Sequence, residues 1–286
     1  RKQREARNRE LKEGDMSTSL TTGTVVAEGA EIYFERRGRG PGLLLIAGGG
    51  GDAGSYSEIA DSLADEYTVL TYDRRGNSRS RLRADPTKLR VEEQRADALA
   101  VLEYNGISSA SVFGSSSGAV IGLDLAARSP HAVELLVAHE PPVVSVLDDA
   151  EQWLAFFEEL DRIVEEQGVG PALMKFMSSV GRAENEPRPA ELMQRLAGNW
   201  DFFARYEMRP VVEFVPDLEA LGESEVPVVF AGGHESRSYY YCRAGEALAA
   251  RLGVDFVEFP GHHMAYLDDA ESFVPILRQI LSTHRG

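Results

Sequence analysis

Two short runs, Leu43-Leu44-Leu45-Ile46 and Leu135-Leu136-Val137, are apolar at every position rather than at every second one. Alternation marks a strand with one wet face, whereas an unbroken run bounded by turn residues marks a strand buried on both. Such a strand needs helices above and below it. The flanking sequence supplies them, with helical patterns over residues 55–65, 91–104 and 117–128. Further strand-like runs lie at 24–28, 31–36, 42–47, 67–72, 110–114 and 134–139. Strand, helix and strand in series imply right-handed crossovers and a mostly parallel sheet with helices on both faces.

The alternation stops at residue 143 and resumes with a strand over 226–231, a helix over 239–252, a strand over 255–259 and a helix over 270–283. Residues 143–224 show no strand and read as several helices. One α/β core, residues 16–142 and 225–286, is therefore interrupted by a helical cap over 143–224. The cap carries seventeen acidic and seven basic residues, both tryptophans, six of the twelve phenylalanines and four of the six methionines. Trp153, Trp200 and Phe203 belong to this set, which suits the lining of a bulky apolar substrate. An exposed apolar face of the cap would support a homodimer. Residues 1–15, with six basic and four acidic side chains, read as a tag or an arm and stand outside the fold argument.

The balance of charge narrows the partners. A net charge of −16 repels nucleic acid and anionic membranes. No run approaches the ~18 apolar residues of a membrane span. The first residues lack the apolar stretch of a secretory signal, so a cytoplasmic location is expected. One cysteine, Cys242, excludes a disulfide framework and a multi-cysteine zinc site, and there is no H-E-x-x-H. A small-molecule substrate and no metal or cofactor are the expectation.

Gly114-Ser115-Ser116-Ser117-Gly118 matches G-x-S-x-G between a predicted strand and a predicted helix. That context is what the motif requires: a sharp turn lifts the central hydroxyl at the carboxyl edge of the sheet, and glycines avoid clashes with the neighbouring strand and helix. Ser116 is the candidate nucleophile. A serine hydroxyl needs a base, and the loop after the last strand offers Gly261-His262-His263, with His263 preferred and His262 as alternative. The base needs an orienting carboxylate. Glu140 closes the apolar strand that ends at His139, where a carboxylate is costly unless something satisfies it. Glu235, after the strand at 226–231, is the alternative. Oxyanion donors are expected from the backbone of Ser117 and from the run Gly48-Gly49-Gly50-Gly51. Asp73-Arg74-Arg75-Gly76-Asn77-Ser78-Arg79-Ser80 reads as a hydrogen-bonded structural turn, with an anion site as the alternative.

These residues resemble the α/β-hydrolase superfamily with a helical cap inserted after the sixth strand. Within it they are similar to the zearalenone lactonases, which open a resorcylic macrolactone with a Ser–His–Glu triad. The shared stretches are Val112-Phe113-Gly114-Ser115-Ser116-Ser117-Gly118, His139-Glu140-Pro141-Pro142 and Pro260-Gly261-His262-His263. The resemblance implies Ser116 as nucleophile, His263 as base, Glu140 as acid, and Gly48 or Gly49 with Ser117 as oxyanion donors. It also implies that Trp200 contacts the substrate. Ala47 departs from the pattern, standing where a polar residue often precedes the first oxyanion glycine. The expected activity is hydrolysis of an ester or lactone bond of a bulky apolar substrate. The alternatives are carbon–carbon bond hydrolysis or other chemistry on the same fold, and a non-catalytic small-molecule receptor.

Overall fold

The structure is a computed structural model that describes residues 19–181 and 188–284. The expected tag or arm at 1–15 lies outside the described residues. The chain opens with an antiparallel hairpin, β1 (Thr21–Ala27) and β2 (Ala30–Arg37). It continues through β3 (Gly42–Ile46), α1 (Ser57–Leu63), β4 (Thr68–Tyr72), the two-residue β5 (Arg81–Leu82), α2 (Val91–Tyr104), β6 (Ala110–Ser115), α3 (Ser117–Arg128) and β7 (Val133–His139). In space the sheet runs β1-β2-β4-β3-β6-β7-β8-β9, with β8 (Val228–Gly233) and β9 (Phe256–Phe259) at the far edge. Every pairing from β4 to β9 is parallel.

The unbroken apolar runs now have a physical account. Leu44 and Ile46 point to one face of the sheet, where α2, α3 and α9 (Tyr240–Leu252) pack. Leu43 and Leu45 point to the other, against α1, α10 (Ala265–Asp268) and α11 (Ala270–Thr283). All four are fully buried. Each contributes roughly 1.5–3 kcal/mol of transfer free energy, so a polar residue at any of them would be expelled from one layer or the other. The same division holds in β7, with Leu136 on the first face and Leu135 and Val137 on the second.

Between β7 and β8 the chain makes only helices: α4 (Ala150–Gln167), α5 (Val169–Val180), α6 (Ala190–Phe202), a π-helical turn at Phe203–Glu207, α7 (Met208–Val212) and α8 (Leu218–Glu223). In α4 the buried residues are Phe157, Leu160 and Val164, three and four apart, which is one face of a helix. In α6 they are Leu192, Leu196 and Asn199. The polar member of that stripe is a fastener. Asn199 bonds Gly50 O and Ser78 of the core, and Arg195, one turn earlier, forks onto the buried Asp52. No helix among the described residues is long and apolar enough to cross a membrane.

Small displacements separate expectation from structure. The strand expected at 226–231 runs two residues later, because Gly232 and Gly233 pair with Glu258 and Phe259 of β9. The helix expected from 55 begins as a 3-10 turn over Ala53–Tyr56, capped by the Asp52 carboxylate accepting from Gly54 N. The strand β5 has no sequence signal at two residues, and it exists through its pairing with β2.

Candidate active site

The carboxyl ends of β3, β6, β7 and β8 meet beneath the helical insert. At β6 the chain turns into α3 through Ser116, whose backbone takes φ 55° and ψ −120°. This is a strained conformation for a residue with a side chain, and it is held from outside: Ser116 N donates to His139 O at 2.9 Å. The glycines of the motif are required by contact. A Cβ on Gly114 would lie 2.2 Å from Gly118 O, and one on Gly118 would lie 2.0 Å from Ile46 O. The Ser117 amide stands in the first turn of α3, where backbone N–H groups have no intrahelical acceptor and the dipole favours negative charge.

At the end of β7 the chain turns through Glu140, also at positive φ (49°) and fully buried. Its N–H bonds Ala231 O at 2.8 Å, fixing the turn on β8. One carboxylate oxygen accepts from Gly233 N at 2.7 Å, and the other meets His263 Nδ1 in a short hydrogen bond. Burial pushes the Glu140 carboxyl upward. The His263 hydrogen bond and the Gly233 amide oppose it, and the carboxyl is held below its usual range. His263 is itself nearly buried, and the Tyr241 ring packs on it with centroids 4.2 Å apart.

A second histidine lies beneath this pair. His139 is fully buried among Phe113, Phe259, Tyr266 and Phe273, with ring centroids 5.6–6.3 Å away. Its Nδ1 meets Ser115 Oγ at 2.8 Å, and its Nε2 has no hydrogen-bond partner among the described residues. Burial drives its pKa down to about 4, so the ring is neutral at physiological pH.

Ser116, His263 and Gly49 line one cavity with Trp200, Phe203, Phe176, Met177, Val180, Met264 and Tyr266; Arg188 and His262 supply its hydrogen-bonding rim. Its volume is about 90 Å³, well below the roughly 300–1,000 Å³ of a site enclosing a drug-sized ligand. The structure brings Ser116, His263, Glu140, Gly49, Trp200, Phe203 and His262 to this one place. Gly48 and Ser117 flank Ser116: a Cβ on Gly48 would sit 3.2 Å from Ser116 Cβ. Trp153 is elsewhere, its ring packed on Tyr240 with centroids 4.3 Å apart and its Nε1 donating to Asp149. Its helix, α4, turns that residue toward α9 rather than toward Ser116. Glu235 is exposed on the turn after β8, while Glu140 holds His263.

His262 Nδ1 accepts from Met264 N, and its Nε2 lies 3.5 Å from Asp268. Arg188 is also hydrogen-bonded to Asp268. The three arginines after β4 are each paired with carboxylates: Arg74 with Glu207, Arg75 with Asp97, and Arg79 with Asp73 and Glu35. The segment is a structural turn rather than an anion site.

The family model described as alpha/beta hydrolase fold matches residues 41–213. The chain is 38% identical over 273 residues to a Bacillus subtilis protein named Uncharacterized hydrolase YraK, covering 93% of this chain and 98% of that protein. It is 25% identical over 278 residues to the zearalenone hydrolase of Bionectria ochroleuca, covering 94% of this chain and all of the relative. Among solved structures, a thermophilic esterase from Thermogutta terrifontis superposes with a TM-score of 0.75 at 17% identity, over 93% of this chain and 100% of the other.

Proposed function

The chain belongs to the α/β-hydrolase fold family, whose relatives of this chain are named hydrolases, and on that premise we propose that it cleaves an ester or lactone bond through a serine acyl-enzyme. The observation that carries this reading is the buried Glu140–His263 pair opening onto the cavity that Ser116 lines. With Nδ1 bonded to the carboxylate, the His263 ring carries its proton there and leaves Nε2 as the basic nitrogen.

The steps follow from those positions. Ser116 Oγ attacks the carbonyl carbon, and its proton passes to His263 Nε2. Negative charge collects on the carbonyl oxygen, where the N–H groups of Ser117 and Gly49 stabilise it. The tetrahedral intermediate expels the alkoxy oxygen, which takes the proton from His263. Water then repeats the sequence on the acyl-enzyme: it gives a proton to His263, attacks the carbonyl, and releases the acid and the free serine. Glu140 stays ionised throughout and stabilises the imidazolium.

The cavity supports a largely apolar substrate with hydrogen-bond acceptors at one end. Trp200, Phe203, Phe176 and Met177 supply the apolar wall, and Arg188 supplies donors, with His262 beside it. The full-length similarity to a zearalenone hydrolase favours an aromatic lactone within that class. The test is a panel of p-nitrophenyl esters and aromatic macrolactones assayed with the wild type and Ser116→Ala. We expect turnover of both substrate kinds and a loss of several orders of magnitude in the variant. Undiminished turnover by Ser116→Ala would shift the chemistry to the His–acid pair without an acyl-enzyme.

A further inference from the structure

We propose that Arg74, clamped by Glu207 of the helical insert, is the positioning residue of the oxyanion hole: it pins the Gly48 carbonyl and thereby aims the Gly49 N–H at the reaction cavity. The inference rests on the serine-hydrolase reading above.

Arg74 follows β4 and is 1% exposed, and Glu207 is wholly buried. The guanidinium has little freedom. Its Nη1 donates to Glu207 Oε1 at 2.9 Å and to Gln94 Oε1 at 2.6 Å. Its Nη2 donates to Glu207 Oε2 at 2.9 Å and to Gly48 O at 2.8 Å. A two-point fork between planar groups fixes orientation as well as distance. Gly48 O also accepts from Gly51 N at 3.1 Å, which closes a tight turn.

The peptide joining Gly48 to Gly49 is planar and trans, so the Gly49 N–H points opposite to the Gly48 carbonyl. With the carbonyl directed at Arg74, that N–H is directed away from it. Gly49 lines the cavity with Ser116. Among the described residues no acceptor engages the Gly49 N–H. Of the two glycines left open by the sequence, the geometry selects Gly49. A glycine–glycine peptide has no side chain to hold its plane. Flipped, it would present an oxygen to the developing oxyanion instead of a donor, and it would lose both donors on the Gly48 carbonyl, the Gly51 N–H within the turn and the Arg74 guanidinium, which is the side chain that resists the flip.

The clamp also joins the chemistry to the insert. Glu207 ends the π-helical turn that begins at Phe203. Phe203 and Trp200 press on the same loop from the cavity side, each 3.3 Å from where a Gly49 Cβ would be. The insert thus holds both sides of the oxyanion loop, rings on one and a carboxylate through Arg74 on the other.

The test replaces the pair as a unit, Arg74→Met with Glu207→Met, so that neither charge is left buried alone. Circular dichroism and thermal melting first establish that this variant is folded. On p-nitrophenyl butyrate we expect kcat to fall about 10–100-fold, a fraction of the roughly 10²–10³ lost when an oxyanion donor is removed outright, with KM nearly unchanged. Affinity for a trifluoromethyl ketone, which mimics the tetrahedral intermediate, should fall by the same factor as kcat/KM. A purely structural role would leave that affinity per folded molecule intact. Glu207→Gln, which keeps one acceptor for Arg74, should recover most of the lost rate. A folded double variant with wild-type kcat and ketone affinity would overturn the positioning role, provided Ser116→Ala is inactive. If Ser116→Ala is as active as the wild type, the serine reading itself fails and this inference fails with it.

Discussion

His139 gives a stability measurement whose size follows from its surroundings. The ring touches four aromatic side chains and Ser115 Oγ, and among the described residues the ionisable neighbours facing it are Glu140, His263 and the Tyr266 hydroxyl. Folded, it takes a proton only near pH 4; unfolded, it does so at the ordinary 6.5. Between those values the unfolded chain holds more protons than the folded one, so stability rises with pH across the window and falls as pH drops through it. From pH 7 to pH 5 the His139 share of that loss is about 2 kcal/mol. The lowered Glu140 carboxyl adds a further loss as pH falls through and below the ordinary carboxylate range, at more acid pH than this interval. His139→Phe fits the aromatic cage, keeps the backbone carbonyl that accepts from Ser116, and removes the titrating group. Urea denaturation of both proteins at pH 7 and pH 5 measures the difference. The wild type should lose about 2 kcal/mol more than the variant over this interval. Equal losses would refute the claim that the buried ring is neutral and that its protonation opposes folding.

Other changes give equally definite expectations. Glu140→Gln should lower kcat by roughly 10²–10⁴-fold, because the amide no longer fixes the His263 tautomer or stabilises the imidazolium; Glu235→Gln, on an exposed turn, should leave the rate within about twofold. Gly118→Ala places a methyl 2.0 Å from Ile46 O, and denaturant melts should show a loss of about 2 kcal/mol or more. Trp200→Ala should raise KM for a bulky aromatic ester and spare p-nitrophenyl acetate, whereas Trp153→Ala should change stability and neither KM.

Much of the fold is legible because its signals are local. Leu43 to Ile46 are buried in sequence order, alternately on the two faces, so a continuous apolar run suffices to identify a doubly covered strand. The G-x-S-x-G turn is likewise a short-range steric requirement, visible as two glycines four residues apart. Glu140 could be proposed because a carboxylate ending an apolar strand has to be satisfied. What the sequence did not disclose is tertiary. Arg74 and Glu207 are 133 residues apart, and nothing in either neighbourhood marks them as partners. The Asp52–Arg195 and Asn199–Ser78 fasteners are hidden for the same reason. Trp153 and Trp200 look alike in sequence as aromatics of an acidic helical stretch. Only the packing of α4 against α9 and of α6 over the glycine loop separates them. His139 begins the shared His139-Glu140-Pro141-Pro142 stretch, but nothing in that stretch shows its burial: its environment comes from four strands and helices that meet only in the folded chain.

The covalent intermediate is the most direct measurement. A p-nitrophenyl ester mixed with the enzyme and quenched in acid within milliseconds should leave a protein heavier by one acyl group, and peptide mapping should find it on Ser116. Ser116→Ala should show neither the added mass nor the burst of p-nitrophenol. Full turnover with no adduct in the wild type, or an adduct mapped to another side chain, would contradict a serine nucleophile at the carboxyl end of β6.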